Sequence, residues 1–76
     1  MRTYREIWGR RIRRAREAAG YSQRTLSVAL DINQAVVSRW ESGHTAPSDA
    51  RRPIVAALLG VPAEVLFSYE PDEAVA

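Results

Sequence analysis

The sequence predicts an all-α domain built from short helices. Apolar residues recur every three or four positions through most of the chain, the spacing that lines one face of a helix. Gly20, Gly43 and Gly60 each fall just past such a segment, where a left-handed residue commonly ends a helix. Ser22 and Asn33, whose side chains suit a helix start, stand just before the next segments. Nothing alternates in the manner of a strand, and there is no internal repeat.

The elements follow in order. Tyr4, Trp8, Ile12, Ala15 and Ala19 form the stripe of a first helix expected from about Thr3 to Ala19, with Gly20 as its left-handed end. Trp8, like Trp40 further on, is assigned to the core. Ser22 caps a short second helix whose apolar face is Leu26, Ala29 and Leu30. Asp31 and Ile32 make a tight turn. Asn33 caps a third helix, with Val36, Val37 and Trp40 inward and Gly43 at its end. His44 to Ser48 is a loop, since Pro47 disfavours helix at Ala46. A fourth helix ends at Gly60. Its start is expected near Ser48 with a distorted first turn, although Pro53 would also suit the first helical position. Pro62 to Phe67 adds a last turn or two. Residues 68–76 are expected to form an acidic, flexible C-terminal tail beyond a domain of residues 1–67.

Composition narrows the function. With 76 residues, one domain is expected. The absence of cysteine rules out disulfides and thiolate metal sites, and a single histidine rules out a multi-histidine centre, so no cofactor or metal is expected. No Ser-His-Asp, Cys-His or metal constellation can be assembled, which argues against an enzyme. The longest apolar run, Ile54 to Leu59, is too short to cross a bilayer, and the N-terminus has no apolar signal core; a cytoplasmic location is expected. The net charge is only +2, but the arginines crowd the first third and the acids the end. Every basic residue is Arg and none is Lys. Arg suits bidentate contacts to phosphate or guanine, although Arg bias also follows from genome composition.

Two short helices joined by a tight turn, from Ser22 to Gly43, form a unit whose second helix fits the major groove while the first crosses above it. Leu26, Leu30, Ile32, Val37 and Trp40 can lock the pair. The outer face of the second carries Gln34, Ala35, Ser38 and Arg39. Gln can pair with adenine, Arg with guanine, Ala with the thymine methyl, and Ser with base or phosphate. The helix starts, Ser22-Gln23 and Asn33-Gln34, present free amides to phosphates. Any exposed helix face is polar, so spacing alone leaves base reading open.

The segment I-R-R-A-R-E-A-A-G-Y-S-Q-R-T-L-S-V-A-L-D-I-N-Q-A-V-V-S-R-W-E-S-G-H-T-A-P-S, residues 12–48, resembles the Cro/C1-type (XRE) helix-turn-helix family, and A-A-L-L-G-V-P-A-E-V-L-F resembles that family's last two helices. The resemblance covers nearly everything from Trp8 to Phe67. It implies a five-helix, lambda-repressor-like DNA-binding domain with the third helix in the groove. It also implies that Gln23 touches phosphate and buttresses Gln34, and that Arg16 pairs with Glu41. Ser42, His44 and Thr45 match positions that often contact phosphate in the family. Arg24 and the outward-facing Arg10 are further backbone candidates. The sequence departs from the family pattern at Ser27, usually Ala; at Asp31, usually Gly; and at Asp49, Arg52 and Pro53, commonly apolar. Arg51 and Arg52, near a helix start, are either phosphate contacts or a solvated pair.

Such a domain is expected to bind a palindromic operator of double-stranded DNA as a homodimer, with two half-sites about 34 Å apart. The interface is expected around the fifth helix, among Val61, Val65, Leu66 and Phe67, some of which must instead complete the core. The expected function is transcriptional regulation, as a repressor of the phage or restriction-modification controller kind. The alternative is an antitoxin-type module whose main partner is a toxin chain docked on the C-terminal tail.

Overall fold

The computed structural model describes residues 3–70. Among them are five helices and no strand: α1 (Tyr4–Ala18), α2 (Gln23–Leu30), α3 (Gln34–Ser42), α4 (Arg52–Leu59) and α5 (Ala63–Leu66). The helix starts are capped by the residues the sequence offers. The Ser22 hydroxyl accepts from Thr25 N at 3.0 Å while Thr25 Oγ1 accepts from Ser22 N at 2.8 Å, so two amides that the helix leaves free are satisfied reciprocally. Asn33 Oδ1 accepts from Ala35 N at 2.8 Å. Thr3, expected as the first helical residue, is instead the cap of α1, and Glu6 completes its box by accepting from Thr3 N at 2.9 Å.

The turn between α2 and α3 depends on Asp31, which sits at φ 57° and ψ 47°. A left-handed residue there reverses the chain within three residues, and Asp tolerates that conformation at modest cost because its short polar chain crowds the backbone little. Ser27, the other departure within α2, is buried but satisfied: its hydroxyl donates to Arg24 O at 2.7 Å.

The start of α4 differs from the expectation. Ser48 contributes its carbonyl, not its side chain, accepting from Arg51 N at 2.9 Å and Arg52 N at 3.0 Å. No side chain caps the helix, which begins at Arg52 with Pro53 next. Proline has no N–H, and the first turn leaves its N–H groups without intrahelical partners anyway, so the ring costs least there. Arg52 is not turned toward a polyanion. Its Nε donates to Pro47 O at 3.0 Å, it pairs with Asp49 at 2.7 Å, and its guanidinium lies 4.7 Å from the centre of the Trp8 ring.

Trp8 organises the core. Its ring is met edgewise by Tyr4 at 4.8 Å and Phe67 at 5.2 Å, with Tyr69 tilted against it at 5.2 Å. Its indole N–H donates to Ser68 O at 2.8 Å. Around it pack Ile12, Leu26, Leu30, Val37, Trp40, Val55, Leu59, Leu66 and Phe67. Leu66 and Phe67 are thereby corrected from interface candidates to core: they are 2% and 8% exposed, whereas Val65 is 56% exposed and Val61 half-buried. A four-residue helix turns one side inward, and neighbours along it part company. The chain past Phe67 also stays on the domain. Arg11 donates to Val65 O at 3.2 Å and Ser68 O at 2.8 Å, which places residues 68–70 against α1. The remainder of the acidic tail, from Pro71, lies outside the described residues, as does the toxin-docking role assigned to it.

Gly9 decides how α1 meets α3. A Cβ there would lie 2.4 Å from Trp40 O and 2.8 Å from Glu41 O, so the backbones touch where any side chain would part them. Nothing local marks Gly9 in the sequence, since it lies mid-helix with no turn to explain it. Gly9→Ala is expected to destabilise the domain by about 1–3 kcal/mol, since the obstacle is backbone and cannot rotate away. That corresponds to a fall in melting temperature of roughly 4–8 °C per kcal/mol for a domain of this size. A thermal melt matching the parent would contradict the close approach.

Candidate nucleic-acid interface

The α2–turn–α3 unit is fixed to α1 by one ion pair. Arg16 Nε donates to Glu41 Oε2 at 2.6 Å and Nη2 to Oε1 at 3.1 Å, a bidentate fork. Its remaining arm donates to Tyr21 O at 2.9 Å, in the segment leading into α2. Both side chains are about nine-tenths buried, at 10% and 6% exposure. The hydrogen bonds that Arg16 donates to Glu41 push its guanidinium pKa above the ordinary value; burial opposes this, and the charges of Glu41 and Glu17 add to the upward push. Arg16 therefore holds its charge at every pH the fold survives. The pair expected from the family resemblance is present, and it spans α1, the entry to α2 and the end of α3.

Gln23 joins this network. Its Nε2 donates to Glu41 Oε1 at 3.0 Å, the same oxygen that takes Arg16 Nη2. A carboxylate only accepts, so the amide nitrogen faces Glu41 and the amide oxygen faces away. Gln23 makes no side-chain hydrogen bond to Gln34 among the described residues, so the buttress implied by the resemblance is replaced here by a tie to the ion pair. Sequence reasoning did not find this tie, because Gln23 and Glu41 are 18 residues apart and neither sits in a spacing that predicts contact.

Held this way, α3 turns Val37 and Trp40 inward and Gln34, Ala35, Ser38 and Arg39 outward, all four exposed. The side chains of Gln34, Ser38 and Arg39 make no hydrogen bond or ion pair among the described residues. With Ala35 they form one continuous exposed face, at positions i, i+1, i+4 and i+5 of a helix. An uncommitted Gln and Arg on such a face are suited to base edges.

The backbone candidates divide. Arg24 and Thr45 are exposed, and Arg10 is half-buried without an ion pair among the described residues. Ser22 is exposed, but its hydroxyl and its amide are both engaged with Thr25, so it can approach an anion only by giving up part of its capping box. Asn33 uses its oxygen as a cap and keeps its amide donors free. Ser42 Oγ donates to Arg39 O at 3.1 Å and lies 2.8 Å from His44 Nδ1. Ser42 and His44 thus occupy each other, with the direction of their hydrogen bond set by the imidazole tautomer. No cluster of three or more His, Asp or Glu capable of holding a metal occurs among the described residues.

A family model described as helix-turn-helix matches residues 12–66, from the second half of α1 to the end of α5. The chain is also similar to an uncharacterized HTH-type transcriptional regulator, YazB, of Bacillus subtilis (strain 168). The two are 39% identical over 65 residues, which cover 86% of this chain and 94% of that protein. No solved structure matches the chain.

Glu41→Ala would strand a buried guanidinium and release Gln23, and is expected to cost about 3 kcal/mol in chemical denaturation. Replacing both partners by apolar residues, as in Arg16→Met with Glu41→Leu, should restore most of that loss, because no unpaired charge is left inside. A Glu41→Ala midpoint equal to the parent's would show that the pair is not structural.

Proposed function

The chain belongs to the Cro/C1-type helix-turn-helix family, and from that premise we propose that it is a sequence-specific transcriptional regulator that binds a palindromic DNA operator as a homodimer and represses by occupying it. The observation that carries the reading is the uncommitted outer face of α3. In this reading Arg39 forks onto guanine and Gln34 onto adenine, while Ala35 meets a thymine methyl and Ser38 a base or phosphate. Ser22, Gln23, Arg24, Asn33, Ser42, His44, Thr45 and Arg10 are the proposed phosphate contacts, which set register without reading sequence. No helix among the described residues is long and apolar enough to cross a membrane. A regulator that must reach chromosomal DNA works in the cytoplasm.

One helix in one groove reads only a few base pairs, so affinity calls for a second copy. Val65 is the largest exposed apolar group on α5, and beside it Ala15, Ala18 and Val61 line a groove of about 600 Å³ between α1 and α5. We place the two-fold axis of the dimer at this surface, where it would bury Val65 against its counterpart; the dimer would then bind half-sites about one helical turn apart. Repression is then steric: a bound dimer covers DNA that polymerase needs.

Selection of bound sites from a random duplex pool should return an inverted repeat. Arg39→Ala and Gln34→Ala should each flatten preference at one base pair of the half-site, by roughly 1–3 kcal/mol of discrimination. Discrimination equal to the parent's across an operator library would refute base reading by these residues. Val65→Glu should shift the sedimentation mass to that of one chain and weaken operator binding while leaving the fold intact. A mass of one chain for the parent at high concentration would count against the dimer.

A further inference from the structure

We propose that Arg13, on the flank of α1 that faces α3, is an additional phosphate contact of the DNA interface, held in the free protein by Glu17. The inference rests on the DNA-binding reading above and adds a residue that neither helix spacing nor the family resemblance assigns.

A cleft of about 300 Å³ opens between the three helices, lined by Arg13, Arg16, Gln23, Ser38, Glu41 and Ser42. Ser38 belongs to the base-reading face of α3, so the cleft opens on the side that meets the duplex. A helix lying in the major groove has a phosphate strand along each flank, and Arg13 reaches the opening from one of those flanks.

The charges in the cleft are unequal in their commitments. Arg16 has all three arms in hydrogen bonds, and Glu41 neutralises it. Arg13 is different. Its side chain is 66% exposed, and its single partner among the described residues is Glu17, one turn on, through Nε at 3.4 Å. Both terminal nitrogens of its guanidinium are unengaged among the described residues, and that fork matches a phosphate. The pair is also the weaker arrangement on a helix, with the cation N-terminal to the acid, so it is readily exchanged. The exchange strands nothing: Glu17 Oε2 already lies 4.0 Å from Arg16 Nη2, which keeps a cation beside it when Arg13 leaves.

The test is a salt titration of binding with the full chain and its selected duplex. Arg13→Ala should weaken binding severalfold on every operator variant alike and lower the slope of log K against log salt by roughly 0.9 per protomer, one counterion-releasing contact. Arg14→Ala removes the same charge from the flank of α1 that lines the α1–α5 groove; compared at concentrations where its sedimentation mass equals the parent's, it should leave the slope at the parent's value. Glu17→Gln should tighten binding in the parent and have no effect in an Arg13→Ala background. Melting curves should be unchanged for Arg13→Ala, since the side chain is exposed. A parent-like slope for Arg13→Ala, or an equal drop for Arg14→Ala, would overturn the proposal while leaving DNA binding in place. A parent that binds no duplex at all would overturn both readings together.

Discussion

The contact between α1 and α3 governs the rest of the molecule. Gly9 lets the two backbones touch, and seven residues later Arg16 grips Glu41 from the same side of α1. The first of these sets the distance between the helices and the second sets their rotation and register. Only with α3 seated at that depth can Val37 and Trp40 be enclosed while Gln34, Ser38 and Arg39 stay outside. The ion pair also costs desolvation, so its net contribution to stability is small. What it supplies is geometry: a fork accepts its partner in one plane, whereas an apolar contact would tolerate sliding. Gln23 extends the same geometry to the start of α2 by sharing an oxygen of Glu41.

At the other end of the domain, backbone carbonyls do what side chains do at the first. The carbonyl of Ser68 accepts from both the Trp8 indole and Arg11, and Arg11 reaches back to Val65 as well. These groups lie at the C-terminal end of α5, where the last carbonyls lack helical partners and attract a cation. A four-residue helix has little stability of its own. Its place is kept by Leu66 and Phe67 in the core and by these donors, and that arrangement is what leaves Val65 facing outward.

The arginines show how one residue type is divided by its surroundings. Arg16, Arg11 and Arg52 are absorbed by a carboxylate, by carbonyls and by an aromatic face with a carbonyl. Arg39 and Arg24 stay exposed beside the turn. A sequence count treats all of them as one basic front. The structure separates those that hold the fold from those left for a polyanion.

Much of the fold was legible along the chain because helix starts and stops are local events. Ser22 and Asn33 cap because a short oxygen-bearing side chain reaches an amide two or three residues on, and Asp31 and Gly43 turn the chain through their own dihedral angles. The outer face of α3 was legible for the same reason, since helical spacing alone separates 34, 35, 38 and 39 from 37 and 40. The Arg16–Glu41 pair came only through resemblance, for nothing in a 25-residue separation predicts it. Tertiary structure alone decided the remainder: that Gly9 is a contact point, that Arg52 turns inward, that Gln23 ties to Glu41, and that Leu66 and Phe67 are core while Val65 is not. Each of these depends on a group brought from a distant part of the chain. Local chemistry determines where a helix begins, ends and turns its apolar side, but a side chain's partner is chosen only when the helices close on one another.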